Sequence, residues 1–321
     1  MDEICSYCNQ KWENGDALMS SDGQMICPKC KLNLKSKNNN YFCSQCKKIY
    51  PISNGIISFI NENTNREGYK EDYFLYLEEV ERKHFWFQAR KNLILYFIKK
   101  YCKEIINGQH KMLEIGCGNG NVLYYLRNNG INCQGGDLFL ESLMNCRKKG
   151  KVSLFQIDAL HLPFRNYFDI IGLFDVMEHI EKDKEVLKEV SKSLKSNGKL
   201  IITAPAHKKL WGRYDEVSFH KRRYSEKELI AQLEISGFTV EKTTHFVSLL
   251  FPILLLFRYF NQKSYSHISD EEYLKREIQV IPFLNTLFLW ILAFERILIH
   301  FIHFPFGSSL IAIARKIPNE S

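Results

Sequence analysis

The chain has 321 residues, 45% hydrophobic and 25% charged, which excludes a disordered or fibrous protein and suits one large domain plus a small one. Its 44 basic against 36 acidic side chains give a net charge of +8, enough to permit contact with phosphates or anionic lipid but not to demand it. The opening Met-Asp-Glu-Ile-Cys-Ser-Tyr-Cys has no basic stretch followed by an apolar one, so no secretory signal is read there and a reducing, cytoplasmic setting is expected.

Six of the ten cysteines form three Cys-x-x-Cys pairs, Cys5/Cys8, Cys27/Cys30 and Cys43/Cys46, with 18 and 12 residues between them. Two such pairs supply four thiolates for a tetrahedral Zn²⁺. Residues 1–60 have little hydrophobic pattern, so a metal would serve as their core. By spacing alone Cys5, Cys8, Cys27 and Cys30 qualify as well as Cys27, Cys30, Cys43 and Cys46, and six thiolates leave room for a second, incomplete site. The stretch from Cys27-Pro-Lys-Cys30 through Cys43-Ser-Gln-Cys46-Lys-Lys-Ile-Tyr-Pro-Ile resembles the zinc-ribbon domain of small activator proteins that partner tRNA methyltransferases. That resemblance favours the second set. The single cysteines Cys102, Cys117, Cys133 and Cys146 are expected to be small buried residues.

Residues 61–68 are polar and without apolar periodicity, which marks a linker. From Tyr69 to about Ile106, Phe74, Leu77, Phe85, Leu93 and Phe97 recur at helical spacing. Inside that stretch His84-Phe-Trp-Phe-Gln-Ala-Arg90 sets three aromatics beside a cation, either a helix docking on a sheet or a lid over a ligand.

Leu113-Glu-Ile-Gly-Cys-Gly-Asn-Gly120 then reads as an apolar strand running into a glycine turn. Asp137 follows Gly120 by 17 residues at the tip of the next strand. A glycine turn and a spaced acid describe a nucleotide-type cofactor at the carboxyl edge of a parallel sheet. Gly116, Gly118 and Gly120 are read as letting the backbone approach a ligand. Strands are expected near 111–116, 132–137, 152–157, 169–174 and 199–204, with helices near 120–128, 140–148 and 182–195, a sheet buried on both faces. Gly198 is read as a left-handed helix cap.

A long loop, Pro205 to Ser225, follows the fifth strand, at the edge where ligand-binding loops gather. After a helix near 225–235 come a sixth strand from Gly237 and a seventh in Ser309-Leu-Ile-Ala-Ile-Ala-Arg-Lys. Residues 247–306 would be an insertion inside that edge hairpin, with apolar runs from Phe246 to Phe260 and from Ile281 to Phe304. A 15-residue helix rises about 22 Å, short of the roughly 30 Å hydrocarbon core. A helical wheel gathers Asn285, Arg296, His300 and His303 on one narrow face, so the second run could pack on the protein, lie in a membrane interface or span. The boundaries expected are 1–60 for the ribbon, 61–108 for linker and lid helices, 109–246 for the core, 247–306 for the insertion and 307–321 for the last strand and tail.

Glycines alternating behind Glu114 resemble the first motif of class I S-adenosylmethionine-dependent methyltransferases. The resemblance covers roughly residues 84–246 and continues in Gln-Ile-Asp158-Ala-Leu-His-Leu-Pro-Phe, Phe168-Asp-Ile-Ile-Gly-Leu-Phe-Asp-Val-Met-Glu-His179 and Leu-Lys-Ser-Asn-Gly198-Lys-Leu-Ile-Ile-Thr-Ala-Pro205. It implies an α/β, Rossmann-like seven-stranded sheet with helices on both faces, carrying the ribbon and the insertion. It also implies that Glu114, Gly116, Cys117, Gly118 and Asn119 meet the methionine part of S-adenosyl-L-methionine. Asp137 and Leu138 would hold the ribose, Asp158 and Ala159 the adenine, with Phe174 and Asp175 beside the methyl. Arg90 would meet the cofactor carboxylate, as an arginine does in similar entry helices, including those of ubiquinone-pathway O-methyltransferases.

Candidates for the base are Asp175, Glu178, His179 and His220. Asp175-Val-Met-Glu178-His179 resembles the Glu-x-x-Glu-His segment that binds a divalent metal in ubiquinone-pathway enzymes, with Asp in place of the first Glu. Alternatively Glu178 and His179 cap the next helix. The loop resembles methyltransferases of bacterial surface-polysaccharide and glycolipid gene clusters, where Trp-x-x-x-Asp and His-x-x-x-Tyr recur. There Trp211 would stack on a sugar while Lys221, Arg222 and Arg223 hold a diphosphate, unless they form a solvated basic face.

The expected function is O-methylation of a small-molecule, lipid-linked or sugar-containing acceptor, with residues 247–306 in peripheral contact with the inner membrane face. The runner-up is an RNA methyltransferase, opposed by the apolar insertion and by Phe174-Asp-Val-Met where base amino-methylation places Asn/Asp-Pro-Pro-aromatic. A non-catalytic membrane scaffold is the third reading.

Overall fold

Residues 25–37, 40–60, 71–107, 110–261 and 268–318 are described by the computed structural model. Cys5, Cys8 and the expected linker lie outside them. The described chain opens with four short strands, β1 (Lys35–Lys37), β2 (Asn40–Phe42), β3 (Ile49–Ser53) and β4 (Ile56–Ser58). Helices α1 (Glu71–Lys83), α2 (Phe85–Tyr101) and α3 (Lys103–Ile106) lead to an alternation of β5 (Met112–Ile115), α4 (Asn121–Asn128), β6 (Cys133–Asp137), α5 (Leu140–Lys148), β7 (Leu154–Gln156), β8 (Phe168–Phe174), α6 (Asp183–Ser193) and β9 (Leu194–Pro205). After α7 (Arg213–Val217) and α8 (Glu226–Ile235), the strands β10 (Phe238–Phe246) and β11 (Ser309–Lys316) flank α9 (Phe251–Asn261), α10 (Asp270–Glu277) and α11 (Pro282–Leu298).

The sheet order is β1-β2-β3-β4-β7-β6-β5-β8-β9-β11-β10. From β7 to β9 the strands are parallel, and β11 lies antiparallel between β9 and β10. The sheet contains the seven strands expected of the methyltransferase fold, with apolar clusters buried on both faces. Parallel strands covered on both sides read as near-continuous apolar runs, which is how β5 and β8 appear in the sequence. The ribbon does not stand apart: β4 pairs in parallel with β7, and Cys27, Cys43, Tyr50 and Phe59 share one buried cluster with Leu113, Phe155 and Phe168.

One local expectation is corrected. The left-handed residue is Asn197 (φ 60°), itself inside β9, not Gly198. Gly198 lies within β9, where an added Cβ would sit 2.9 Å from the Lys195 carbonyl oxygen, so close backbone approach explains the glycine.

The insertion reverses the usual orientation of an amphipathic helix. Two polar side chains of α11, Asn285 and Glu295, face the protein: Asn285 accepts from Phe85 N at 2.6 Å and donates to the Lys83 carbonyl at 3.0 Å. Glu295, fully buried, accepts from the Ser248 and Leu249 amides at 2.7 and 2.8 Å. Phe283 and Trp290 are 79% and 73% exposed, and Leu287, Phe294, Ile297 and, just past the helix, Phe301 are also exposed. Burying one such side chain is worth ~1.5–3 kcal/mol, so displaying six to water forgoes on the order of 10 kcal/mol. Among the described residues no single helix is long and apolar enough to cross a membrane, and α10 with α11 pass that test only as a pair bent by 61°.

Candidate functional site

The carboxyl ends of β5, β6, β7 and β8 open on one cavity of about 1500 Å³. Pockets for one drug-sized ligand hold roughly 300–1,000 Å³, so this one has room for two. The turn after β5 is tied to β6 by Gly116 N and Cys117 N, which both donate to the Gly136 carbonyl at 2.7 and 3.1 Å. Its three glycines serve different needs. An added Cβ would lie 2.4 Å from Val176 at Gly116 and 2.5 Å from Cys146 Sγ at Gly120, and both residues have positive φ. These two are required by packing and backbone. At Gly118 nothing lies within 4 Å of such a Cβ, so of the three only Gly118 has open space where a side chain would stand.

Asp137, buried at the tip of β6, accepts from Gly118 N at 2.8 Å and from Phe139 N at 2.9 Å. Burial raises its carboxyl above the usual range, and those amides pull it back. Leu138, Asp158 and Ala159 border the same space. Asp158 is oriented by Leu160 N (2.9 Å) and His161 Nδ1 (3.0 Å). Glu114 is buried, its Oε2 has no partner, and burial holds its carboxyl well above the ordinary range.

Arg90 projects from α2 into the cavity, its guanidinium 4.8 Å from the Trp86 ring centroid, and forms a buried ion pair with Asp175. Its Nε is buried without a partner. Asp175 has φ 57°, unfavourable for a non-glycine residue. Its Oδ2 also accepts from Thr203 Oγ1 at 2.8 Å, which fixes Asp175 toward Arg90 beside Phe174.

A second group lies across the cavity. Ligand atoms of Glu178, His179 and His220 are within 4.8 Å of one another. Asp175 does not join them, which removes the first residue of the expected metal set and brings in His220. The Glu178 carboxyl is buried with Oε2 unpartnered, and burial, then Asp175, pushes it well above the ordinary range. Burial and His220 depress His179 to about 4. His220 Nδ1 lies 2.9 Å from Asp215 Oδ1, which also accepts from Arg223 Nε at 2.8 Å. Asp215 is 0% exposed, and the sequence reading gave it no role, although Trp211-x-x-x-Asp215 was in view.

Residues 113–202 match a family described as a methyltransferase domain. The chain carries a class I S-adenosylmethionine-dependent methyltransferase domain. It is 29% identical to Methyltransferase GfsG of Streptomyces halstedii over 30% of this chain and 38% of that protein. It is 28% identical to the ubiquinone biosynthesis O-methyltransferase of Idiomarina loihiensis over 29% and 41%. The matches thus span about two fifths of either relative's length. In fold it is similar to phosphoethanolamine N-methyltransferase 2 of Haemonchus contortus, solved with S-adenosyl-L-methionine (17% identity, 78% of this chain, 58% of that one, TM-score 0.50).

Around the methyltransferase cavity, the expected diphosphate clamp does not form. Arg223 is committed to Asp215 and the Ala206 carbonyl, and Arg222 to Asp183 at 3.0 Å and Glu181 at 3.5 Å. Lys221 does border the cavity, whereas Trp211 does not and donates to Glu216 at 3.4 Å. Far along the sheet the Sγ atoms of Cys27, Cys30, Cys43 and Cys46 lie within 4.8 Å of one another. Each knuckle closes alike, with Lys31 N donating to Cys27 O (2.8 Å), Lys47 N to Cys43 O (3.0 Å) and both lysines at φ 61°. A hydrogen bond of 3.1 Å joins the Tyr50 hydroxyl to Cys27 Sγ. Four converging thiols fit a structural zinc ion. Cys102, Cys117, Cys133 and Cys146 are all buried.

Proposed function

We propose that the chain methylates a hydroxyl of a lipid-linked or sugar-bearing acceptor at the cytoplasmic face of the membrane. The observation behind this is α11, which turns its apolar side outward while walling the cavity onto which Gly118 and Asp137 open. RNA gives that apolar face no use, although residues 25–60 carry six lysines and no acid and so suit any polyanion.

S-adenosyl-L-methionine supplies a methyl already activated on a sulfonium, so the chain's task is orientation. Gly116, Cys117, Gly118 and Asn119 hold the amino-acid end, Asp137 and Leu138 the ribose, and Asp158 and Ala159 the adenine. Arg90, held by Asp175 at the cavity wall, would meet the carboxylate of the cofactor. Glu114 and Glu178, their carboxyls pushed up by burial, line the reacting space with Asp175, whose charge is paired with Arg90. His220, whose Nδ1 faces Asp215, presents Nε2 as the base for the acceptor hydroxyl. A second reading, favoured by the unpartnered Glu178 Oε2, places a divalent metal on Glu178, His179 and His220. The ribbon thiolates Cys27, Cys30, Cys43 and Cys46 would hold zinc for structure.

The test is transfer of labelled methyl groups into a fractionated bacterial extract. Label should enter the chloroform-soluble fraction and fall at least tenfold with Asp137→Asn, which keeps the shape and removes the charge. Label in RNA or protein overturns the acceptor class. No label in any fraction, with S-adenosylhomocysteine still bound by calorimetry, leaves the scaffold reading.

A further inference from the structure

The cavity is not sealed from the outward-facing apolar surface. Ile253 of α9, Ile281 at the start of α11 and Leu284 within it border the cavity, yet they are 50%, 51% and 39% exposed. Leu254 and Phe288 line it further in. Leu284 and Phe288, which border the cavity, adjoin Phe283 and Leu287 of the surface stripe along α11. Apolar surface therefore reaches the cavity mouth, where Arg276, Glu277 and Gln279 also stand. The same cavity is lined by the polar side chains of His179, His220 and Lys221.

We infer that the acceptor enters sideways from the lipid: a long hydrocarbon chain lies along Ile253, Leu254, Ile281, Leu284 and Phe288 while its polar head reaches His220. This rests on the membrane-surface reading and adds the substrate class, a long-chain amphiphile methylated on its head. Three observations select lipid as what covers the stripe. The helix hides Asn285 and Glu295 and shows Phe283, Trp290 and Phe294, an arrangement suited to the headgroup–acyl boundary. At 17 residues it rises about 25 Å, short of the roughly 30 Å hydrocarbon core, which suits a helix lying in the interface plane. The cavity exceeds what one cofactor fills. An amphiphile held this way keeps its chain out of water throughout, at ~0.8 kcal/mol per methylene, whereas a pocket open only to solvent would require its extraction.

The probe is a dodecyl glycoside with a photoreactive diazirine in its chain, applied to the full-length protein saturated with S-adenosylhomocysteine. Crosslinks mapped by mass spectrometry should fall on Leu254, Leu284 and Phe288. Leu284→Trp, at a partly exposed position, should reduce them at least tenfold while calorimetric affinity for S-adenosylhomocysteine stays within twofold. Crosslinks confined to Phe283, Trp290 and Phe301, or indifferent to Leu284→Trp, overturn side entry. Flotation with anionic vesicles in parallel separates the two claims. Flotation without cavity crosslinks leaves the membrane reading standing and side entry refuted. A stable dimer in solution that does not float assigns the stripe to a second copy and refutes both.

Discussion

Asp215 has no exposed surface, yet its carboxylate collects Gly212 N at 3.0 Å, Arg223 Nε and His220 Nδ1. A buried carboxylate with such partners fixes a ring rather than reacting itself, because it sets which nitrogen of the histidine carries the proton. With Nδ1–H directed at Asp215, the lone pair of His220 is on Nε2. In Asp215→Asn the side-chain amide could donate to Nδ1 instead, which would place the proton on Nε2 and remove the base. We expect kcat to fall about 10- to 100-fold with little change in KM for the cofactor. Asp215→Glu, which keeps an acceptor for Nδ1–H, should restore part of the lost kcat. Arg223 stays buried in both variants, so thermal midpoints must be compared. A KM effect alone would make Asp215 merely structural.

At the scale of the element, the glycine turn shows how one motif answers several demands. Gly116→Ala combines a left-handed backbone with a contact of 2.4 Å to Val176, and Gly120→Ala the same with Cys146. Each should destabilise by about 2–3 kcal/mol, read from denaturant midpoints. Gly118→Ala meets no atom within 4 Å and carries only backbone strain of about 1 kcal/mol, but its methyl enters the cofactor space. It should weaken S-adenosylhomocysteine binding at least tenfold while the fold persists. Equal destabilisation by all three would refute the division. The strand–turn–helix alternation was legible because its apolar periods are strong and the turn chemistry local. What each glycine touches was not, since Val176 and Cys146 arrive from other elements. The wheel of α11 was legible only in part, since the helix ends at Leu298 and leaves His300 and His303 outside it. A wheel also has no inside, and that Asn285 docks on Phe85 and Lys83 is decided by the junction of α1 and α2. Likewise the sequence displayed Arg222 and Arg223 as free cations, and only folding commits them to Asp183 and Asp215.

For the whole molecule, the least legible feature is the ribbon's attachment. Strands of three residues such as Ile56–Ser58 carry too little alternation to reveal that they continue a sheet, and the cysteine spacing suggested a separate unit. The parallel pairing of β4 with β7, and the shared burial of Cys27, Tyr50 and Phe59 with Phe155 and Phe168, make the ribbon an edge of the methyltransferase sheet. Zinc bound there would stabilise the whole chain, because the strand it braces covers the edge of β7, just before Asp158 and Ala159. The purified chain should hold one zinc per molecule, lost in Cys43→Ser. A second ion that disappears in His220→Ala would identify the Glu178 group as a metal site. Zinc-free protein should unfold in one transition, lowered by roughly 5 °C or more, and the Asp158 side of the pocket should bind S-adenosylhomocysteine less tightly. Two separate transitions, with the cofactor-stabilised one unmoved by zinc, would show that the ribbon folds for itself and that its pairing with β7 transmits nothing.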